Sequence, residues 1–486
     1  MEPNVPEDCF SGPGLSAFPA SSLGHFCGVA GIRSPNPIDI PKTLFYMLFS
    51  LQHRGQESCG IAWEEGGEWR SKRELGMVAP VLGKYLHETH SSSLGIGHVR
   101  YSTAGGAGVQ NAQPIVVDCN KGRIALAHNG NISNGGELRA GLTAEGSIFQ
   151  GTADSELLLH AFSRSRRGDR EGFLREALEP LEGAFSLAVM HEDALIAARD
   201  PSGFRPLYIG HSGKTTYIAS ETCALHALAP TDYREVEPGE VVIFDDEGER
   251  SFFLEPKRPP RRCVFELIYF ARPDSEVFGR SVHAARVLLG EALAEQDAGS
   301  MSADLVIPVP DSGNISAIGY ARKSGLPFDF GLARSYYAGR SFILPTKDQR
   351  ELMARLKLHA VPEVVAGKRV VMIDDSLVRG TTSRIIVRLL REAGAKEVHL
   401  RLAAPELKWP CYYGIDIPDR DALISNRLDP EGIAREIEAD SVRFLPVERM
   451  LEALDEDSSG SGRGFCSACF DGHHPFPLKA GKKERV

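Results

Sequence analysis

Residues 367–405 place the strongest constraint on what this chain can fold into. The segment reads GKRVVMIDDSLVRGTTSRIIVRLLREAGAKEVHLRLAAP: an apolar strand, a loop, a helix pattern and a second apolar strand. Strands joined through a helix in this way lie parallel, because a parallel pair needs a long crossover connection. The segment therefore predicts an α/β domain in which helices cover the faces of a parallel sheet.

A different pattern precedes this unit, between Cys27 and about residue 246. Short strand patterns bounded by Gly, Asn or Asp recur there as LGIGHVRYS, RIALAHNG, AFSLAVM, ALIAARD, TTYIAS and EVVIFDD. Helical patterns such as PKTLFYMLFSLQHRG and DSELLLHAFSRS interrupt them. This half is therefore predicted to be a β-rich α+β domain.

Polar, Pro- and Gly-rich segments suggest the boundaries between domains. The stretch DDEGERSFFLEPKRPPRR, residues 245–262, combines turn residues, prolines and charges, and we interpret it as a linker. The predicted organisation is a leader at 1–26, an α+β domain at 27–255, an α/β domain at 256–455 and a tail at 456–486.

Charge and hydropathy argue against several classes of partner. The net charge of −10 and the absence of a long basic run argue against binding to nucleic acids or anionic membranes. No apolar stretch approaches the roughly 20 residues of a membrane-spanning helix. The leader contains no Lys or Arg, so it lacks the basic region of a signal or transit peptide, and we expect a cytoplasmic protein.

The loop between the two strands of the parallel unit has the features of a phosphate site. Asp374 and Asp375 end the first strand, and a short loop then leads into the helix. Its candidate phosphate-binding residues are Arg379, Gly380, Thr381 and Thr382. A helix N-terminus presents free N–H groups to an anion, and paired carboxylates suit sugar hydroxyls or Mg²⁺. The alternative is an ordinary N-cap cluster, which does not explain two adjacent acids.

This segment resembles the phosphoribosyl-pyrophosphate (PRPP) motif of the type I phosphoribosyltransferases. The resemblance implies that the loop binds the 5-phosphate, that Asp374 and Asp375 bind the ribose of PRPP, and that PVPDSG at 308–313 is the pyrophosphate loop. It implies a Mg²⁺ site at Ser312, Asp374 and Asp375. Residues 333–358 resemble the flexible lid of the family, and its cations would neutralise the leaving pyrophosphate: Arg334, Arg340, Lys347, Arg350, Arg355 and Lys357. For Lys347 and Arg350 we favour solvated surface charges.

The first domain contains an ordered set of motifs behind a Cys-Gly start at Cys27. They are QHRGQES at 52–58, GHVRYSTAG at 97–105, HNGN at 128–131 and TADSEL at 152–157. Singly, HNG is an ordinary hairpin turn and HRGQ an ordinary helix end. As a set they resemble the glutaminase domain of the class II amidotransferases, an N-terminal-nucleophile fold with four α-β-β-α layers.

That resemblance implies residue roles. Cys27 would be the nucleophile, and Asn129 and Gly130 would form an oxyanion hole. Glutamine would be bound by three residues: Arg100, whose planar fork suits a carboxylate, Thr103, and Asp154 at the substrate ammonium. We interpret the further thiols Cys59 and Cys119 as structural.

Together the two halves resemble the amidophosphoribosyltransferases, from Cys27 through the tail. The resemblance implies glutamine-dependent amination of PRPP to 5-phosphoribosylamine with release of glutamate and pyrophosphate, the first step of purine synthesis. It further implies ammonia passage between the sites, feedback inhibition by purine nucleotides and a homotetramer or homodimer, of which we favour the homotetramer. The family usually has Lys-Asn-Arg where this chain has Arg334, Ser335 and Tyr336, which puts nucleotide contacts there in doubt. The rival functions are sugar-phosphate amination, PRPP sensing and a degraded paralogue.

Four of the nine cysteines stand late in the chain. CSAC supplies Cys466 and Cys469 at chelating spacing, and Cys263 and Cys411 are isolated. One branch of the resembled family carries a [4Fe–4S] cluster at matching positions. The alternatives are zinc, which could include His473 and His474, and ordinary buried cysteines.

The position of Cys27 between the polar leader and the first strand raises the question of its base. A nucleophilic cysteine needs a neighbouring base, and no motif places a histidine beside it except His25 of the leader. The resemblance supplies the α-amino group of Cys27 itself, with an ordinary pKa of about 8. We therefore expect residues 1–26 to be a propeptide that is cleaved after Phe26.

Overall fold

The computed structural model describes residues 27–101, 108–299, 302–335, 358–455 and 464–476. The predicted leader therefore lies outside the described residues, as do Thr103, Arg340 and Lys357. Within the described ranges, no helix has both the length and the apolar character that a membrane crossing requires.

The first half of the chain is built on two antiparallel sheets. Among the described residues, the first sheet has seven strands, in the spatial order Asp232–Glu235, Tyr208–Ser212, Thr215–Ala219, Gly28–Ile38, Ser92–Arg100, Ser58–Glu65 and Glu68–Leu75. The second has six, in the order Gly248–Phe253, Glu240–Asp245, Ala194–Arg199, Gly183–His191, Gly122–Ile132 and Ile115–Cys119. The predicted strand patterns all fall in these sheets.

Helices cover the outer faces of both sheets. Their bounds are Ile40–Ser50, Val78–Leu82 and Thr222–His226 on the first sheet, and Gly135–Ala144, Ser155–Arg164 and Arg170–Leu178 at the second. Short 3₁₀ turns occupy Gly83–Leu86 and Val109–Asn111. A third apolar cluster, with Val29, Ala127 and Leu195, fills the space between the sheets. The α-β-β-α sandwich is thereby confirmed.

The linker interpretation of 245–262 is wrong over residues 248–253. These residues form an edge strand that pairs with Glu240–Asp245 in antiparallel register. Phe252 is buried while Glu249 and Arg250 are exposed, because an edge strand covers the core with only one face. Its polar face gave the segment the composition of a linker.

The second half contains the predicted parallel sheet. Its strands are ordered Leu305–Pro308, Arg369–Asp374, Glu397–Leu402 and Ser441–Phe444, all parallel in the described part of the chain. One apolar cluster joins the sheet to helices Val282–Asp297, Asn314–Ser324 and Val447–Leu454. Another joins it to Pro362–Val365, Thr381–Glu392 and Pro430–Ile437. The predicted α/β domain is confirmed.

Short elements complete this half. Two-stranded ladders join Glu276–Val277 to Arg280–Ser281, Leu332–Arg334 to Leu358–Ala360, and Arg262–Cys263 to Phe465–Cys466. The remaining helical segments are a π-helix at Glu266–Phe270, 3₁₀ turns at Arg420–Ala422 and Ile424–Asn426, and the helix Ala468–Asp471. The last ladder and helix bring the tail back to the start of this half.

Candidate functional site

Cys27 lies in a small pocket, immediately before the strand Gly28–Ile38. The residues that line this pocket, called the Cys27 pocket below, are Cys27, Arg100, Tyr101, Gln113, His128, Gly130, Ala153 and Asp154. The thiol donates to the Tyr101 carbonyl at 3.8 Å. Burial raises the pKa of the Cys27 thiol, and the charge of Arg100 partly opposes that rise. A thiol that is buried in this way needs a neighbouring base in order to ionise.

Arg100 and Asp154 place opposite charges in the Cys27 pocket. The Arg100 side chain is buried and forms an ion pair with Glu57 at 3.3 Å. Asp154 precedes the helix Ser155–Arg164 and accepts from the Ile132 N–H at 3.0 Å. Burial opposes ionisation of Asp154, but His128, the Ile132 N–H and Arg100 together outweigh burial, so the pKa of this carboxyl is lowered. A cation and an anion together suit the carboxylate and ammonium of an amino acid.

Asn129 and Gly130 lie on the strand Gly122–Ile132, which approaches Cys27. Asn129 is fully buried, and neither its amide nitrogen nor its amide oxygen has a hydrogen-bond partner among the described residues. Gly130 has φ +153°, and a Cβ there would lie 2.0 Å from the Ala184 carbonyl oxygen. A buried amide without partners is costly unless a ligand uses it.

Two other thiols of the first domain, those of Cys59 and Cys119, lie outside the Cys27 pocket. Cys59 is fully buried in the strand Ser58–Glu65, where burial raises its pKa to about 12. Cys119 ends its strand and donates to the Gly122 carbonyl at 3.5 Å. Neither lines the Cys27 pocket.

The paired acids of the second half lie at the carboxyl end of the strand Arg369–Asp374. Both Asp374 and Asp375 are buried, and Ser312 Oγ donates to Asp374 at 3.3 Å. Burial, and then the charge of Asp375, raise the pKa of Asp374 well above its usual range. A divalent cation at this pair would reverse that effect. The predicted Mg²⁺ ligands therefore lie together.

The loop after the acids has the geometry of an anion site. Gly380 has φ +78° and caps the helix Thr381–Glu392, and a Cβ there would lie 2.8 Å from Ile424 Cδ1. Thr381 and Thr382 are exposed in the first helical turn. The Nε of Arg379 is buried without a hydrogen-bond partner in the described part of the chain. First-turn N–H groups are free to bind phosphate.

Only the start of the predicted lid lies within the described residues. Arg334, at the end of the strand Leu332–Arg334, forms an ion pair of 2.5 Å with Asp311 of the predicted pyrophosphate loop. The predicted lid cations Arg340 and Lys357 lie outside the described residues, as do Lys347, Arg350 and Arg355.

The four late cysteines converge. Cys263 and Cys466 lie opposite each other in the two-stranded parallel ladder that joins the tail to the second domain. Burial, and then the neighbouring thiols, raise the pKa of Cys469, and among these neighbours are Cys411, Cys263 and Cys466. All four are free thiols. Within the described ranges, no three His, Cys, Asp or Glu side chains form a metal-ligating group.

Sequence reasoning missed a buried ion cluster beside Cys27. Arg54 Nε donates to the Cys27 carbonyl at 3.0 Å, and its other nitrogens contact Glu221 and Glu266. Arg54 belongs to the QHRGQES motif, but no role was derived for it. The signal for Glu266 is a charged residue inside the apolar run VFELIYF, because a fully buried Glu requires a partner.

The two halves of the chain contact each other next to the Cys27 pocket. Arg205 Nη2 donates to the Tyr413 carbonyl at 2.8 Å. The rings of Phe204 and Tyr413 stack at 4.6 Å, and Phe476 of the tail packs against both. The loop that begins at Cys411 therefore lies against the first domain.

Comparisons with known proteins agree with this geometry. The family model of a glutamine amidotransferase domain matches residues 98–227, and that of a phosphoribosyl transferase domain matches residues 281–405. The amidophosphoribosyltransferase of Bacillus subtilis is 44% identical over 457 residues, which span 94% of this chain and 95% of that protein. Chloroplastic amidophosphoribosyltransferase 1 of Arabidopsis thaliana is 47% identical over 453 residues, which span 92% and 78%.

A solved structure is similar over almost the same length. It is the glutamine PRPP amidotransferase from B. subtilis complexed with ADP and GMP, with a TM-score of 0.86 and 42% identity. The match covers 94% of this chain and 98% of that one. The predicted resemblance is confirmed over both domains, and the chain belongs to the amidophosphoribosyltransferase family.

Proposed function

We propose that this protein transfers the amide nitrogen of glutamine to C1 of PRPP, which yields 5-phosphoribosylamine, glutamate and pyrophosphate. The observation that carries the proposal is the pairing of two sites on one chain. The Cys27 pocket has charges for a free amino acid, and the second domain has paired acids and a phosphate loop. In purine synthesis this reaction is the first step.

In the first site, Cys27 attacks the amide carbon of glutamine. Arg100 holds the substrate carboxylate and Asp154 the ammonium, and we assign Thr103 to the same binding role. The amide of Asn129 and the N–H of Gly130 stabilise the tetrahedral oxyanion. The C–N bond then breaks, ammonia leaves with an added proton, and water hydrolyses the thioester to glutamate.

The base for this step is the α-amino group of Cys27, exposed by cleavage after Phe26. In support, the thiol hydrogen bond seen in the described residues runs to a carbonyl, which takes no proton at neutral pH. Burial raises the thiol pKa, so the step requires a base close by. Intact-mass measurement of active protein tests the cleavage. Full activity in a protein that retains residues 1–26 would refute it.

In the second site, the paired acids and the loop hold PRPP. Asp374, Asp375 and Ser312 are the residues that would hold Mg²⁺, and the convergence of their oxygens fits that ion. When bound, Mg²⁺ neutralises charge on the pyrophosphate. The 5-phosphate is held by Arg379, Gly380, Thr381 and Thr382.

Amination occurs by direct displacement at C1. Ammonia forms the new C–N bond on the face opposite the pyrophosphate, whose C–O bond breaks, so that C1 inverts. Arg340 and Lys357 of the lid stabilise the departing pyrophosphate. Ammonia passes between the sites by a path closed to bulk water, because water would convert it to unreactive ammonium.

We also propose that Cys263, Cys411, Cys466 and Cys469 hold a [4Fe–4S] cluster. Cys411, Cys263 and Cys466 raise the pKa of Cys469, so the four free thiols form a crowded donor set, and a positively charged iron–sulfur core would stabilise their thiolates. The cluster would pin the tail to the second domain. Anaerobic purification followed by iron and sulfide analysis tests this, and a colourless protein with one bound zinc would contradict it.

The proposal also covers regulation, assembly and cellular location. The B. subtilis relative was solved with ADP and GMP. We propose that purine nucleotides inhibit this protein, that it forms a homotetramer and that it works in the cytoplasm. Inhibition assays with ADP and GMP, and light scattering of the purified protein, test the first two points.

The decisive experiment measures glutamate and pyrophosphate release from the mature protein. Wild type should need both glutamine and PRPP for full release of pyrophosphate. Cys27→Ala should lose glutamine-dependent activity and keep activity with ammonium chloride at pH above 8, and Cys59→Ala is the matched control that should keep both. Amination of a sugar phosphate in place of PRPP, or PRPP binding with no turnover, would overturn the proposal.

A further inference from the structure

Gln113 lines the Cys27 pocket, although it belongs to none of the motifs that indicate glutamine chemistry. The residue exposes only 3% of its surface. Its side-chain Oε1 accepts a hydrogen bond of 2.7 Å from the backbone N–H of His128, which lies on the same strand as Asn129 and Gly130. A backbone N–H can only donate, so this contact fixes which end of the Gln113 amide is the oxygen. The amino group, Nε2, is therefore the end that remains for the pocket.

The main chain around Gln113 is fixed by contacts with two other segments of the first domain. A Cβ built at Gly60 would lie only 2.5 Å from the Gln113 carbonyl oxygen, so the two backbones are in close contact. Two residues before Gln113, the side-chain oxygen of Asn111 accepts from the N–H groups of Thr152 and Ala153 at 3.0 and 3.2 Å. The Gln113 side chain therefore reaches the pocket from an anchored backbone.

The amino group of Gln113 has no hydrogen-bond partner within the described ranges. A buried donor without a partner costs stability, so such a group in a native protein calls for a ligand or a bound water. A bound glutamine offers two acceptors, its α-carboxylate and the oxygen of its side-chain amide. In the proposed reaction the amide oxygen already has two donors, the Asn129 amide and the Gly130 N–H. The α-carboxylate is therefore the acceptor left for Gln113.

The α-carboxylate also needs a donor besides Arg100. The Arg100 side chain forms an ion pair with Glu57 at 3.3 Å, so its charge is already shared. A carboxylate has two oxygens with about four lone-pair sites, which one shared guanidinium does not fill. A neutral N–H donor adds a hydrogen bond to the carboxylate without bringing a further charge into the pocket.

We propose that Gln113 is a further glutamine-binding residue, whose Nε2 amino group donates to the α-carboxylate of the substrate beside Arg100. The inference rests on the proposed function of the Cys27 pocket and extends it to substrate selection. Through its Oε1, the same side chain holds the backbone of His128, one residue before Asn129. Gln113 thus joins the bound carboxylate to the strand that stabilises the oxyanion, and it favours amino acids whose α-carboxylate is free.

The test is Gln113→Glu, which changes only the amino end of the side chain. A glutamate keeps the oxygen that faces the His128 N–H and replaces the donor with a negatively charged oxygen. We expect the KM for glutamine to rise about tenfold to hundredfold, as for the loss of a hydrogen bond to a charged group. The kcat at saturating glutamine should stay within about twofold, because the carboxylate contact is the same in the ground state and the transition state. Pyrophosphate release with ammonium chloride should remain, which shows that the second domain is folded.

The α-methyl ester of glutamine identifies the group that Gln113 binds. This compound keeps the reacting amide and the ammonium but lacks the carboxylate charge. Wild type and Gln113→Glu should therefore hydrolyse its side-chain amide with kcat/KM values within about threefold of each other. If the variant loses the same factor with the ester as with glutamine, Gln113 does not bind the carboxylate and the inference is overturned.

Asn134→Asp is the matched control. Asn134 Oδ1 accepts from the backbone N–H of Glu182 at 3.0 Å, and Asn134 does not line the Cys27 pocket. The same change from amide to carboxylate should leave the KM for glutamine at the wild-type value. Should Gln113→Glu fail to fold, Gln113→Met brings no charge and carries the test. Its KM should rise about tenfold for glutamine, again without a matching loss for the ester.

The outcomes separate the inference from the function on which it rests. If wild type hydrolyses no glutamine, the proposed function and this inference both fall. If wild type hydrolyses glutamine and Gln113→Glu has the wild-type KM, the inference alone is overturned, because Gln113 then acts only through His128. An equal rise of KM in Asn134→Asp would also overturn it, because a general disturbance of the domain would explain the effect.

Discussion

The side-chain amide of Asn131 donates a hydrogen bond of 2.8 Å to the backbone carbonyl of Tyr412. The contact joins the strand that carries Asn129 and Gly130 to the loop that begins at Cys411. Two residues further on, a Cβ built at Gly414 would lie 3.2 Å from the carbonyl carbon of Gly130. The candidate oxyanion strand of the first domain therefore rests directly on the second domain.

Gly414→Ala should disturb this contact and slow glutamine hydrolysis. Gly414 has φ +104°, and its Cβ would also approach Arg205 Nη2 at 3.2 Å. The strained backbone should cost about 1–2 kcal/mol of stability. Displacement of Gly130 should lower kcat by about tenfold or more, because catalytic geometry tolerates little movement. Melting temperature and initial rates of glutamate release measure the two effects.

Gly248→Ala separates strain from displacement. Gly248 has φ +113°, close to that of Gly414, and a Cβ there would meet no atom within 4 Å. It should lower the melting temperature by a similar amount without changing kcat. If both variants lose the same fraction of activity, the contact between Gly414 and Gly130 has no role in hydrolysis.

Asn129→Leu should raise stability and remove activity. The Asn129 amide is fully buried, and neither polar atom has a hydrogen-bond partner in the described part of the chain. An unpaired buried polar group costs about 1–3 kcal/mol, which leucine of similar size should partly recover. Loss of an oxyanion donor should lower kcat by about 10²- to 10³-fold. Calorimetry measures the expected rise in stability, and glutamate release from the same preparation measures the expected loss of activity. A variant that is destabilised but active would show that the Asn129 amide supports the fold and not the reaction.

Much of the fold follows from the sequence because its strands have strong local signals. The sequences of the strands Gly183–His191 and Arg369–Asp374 are mostly continuous apolar runs, which are typical of strands buried on both faces. Both strands lie in the interior of their sheets. The edge strand Gly248–Phe253 was not predicted from the sequence, because its exposed face gives it the composition of a loop. Cys27, Arg100, Gly130 and Asp154 were named from an ordered set of motifs, and the fold does bring them together in the Cys27 pocket. Gln113, which also lines this pocket, lies outside those motifs.

The contacts between the domains could not be predicted in this way. Arg54 and Glu266 are separated by 212 positions, and neither residue alone indicates the other. The same holds for Asn131 and Tyr412, whose bond uses a backbone carbonyl that has no sequence signature. Such pairs depend on how two finished domains pack, which periodicity and motifs do not encode.

His98 should make the protein less stable as the pH falls below 7. Its ring is fully buried, and burial lowers the pKa of His98 to about 3. The unfolded chain has a histidine pKa of about 6.5, so between pH 6.5 and 3 only the unfolded state takes up this proton. The stabilisation is complete above pH 6.5 and falls by about 2 kcal/mol by pH 5.

The measurement is the melting temperature at pH 7 and pH 5 for wild type and His98→Gln. The glutamine can still reach the His128 carbonyl, which His98 Nε2 contacts at 3.0 Å, but it does not titrate. The drop between the two pH values should be smaller in this variant. His87→Gln, at an exposed position of the same domain, should keep the full wild-type drop. An equal drop in all three proteins would mean that His98 is not the group responsible.

Binding of Mg²⁺ and PRPP should release a proton from the paired acids. Burial and the charge of Asp375 raise the pKa of Asp374, so a larger fraction of this carboxyl is protonated in the empty site than of an exposed aspartate at the same pH. A bound cation favours the charged carboxylate and lowers that pKa, which expels the proton. Proton release on binding should be larger at pH 6 than at pH 8, because a larger fraction of Asp374 is protonated in the empty site at the lower pH.

Calorimetric titration in two buffers of different ionisation enthalpy counts the protons released. Asp374→Asn, titrated to saturation with the same ligands, subtracts the protons that belong to PRPP itself, and an identical count in the variant would show that Asp374 is already ionised in the empty site.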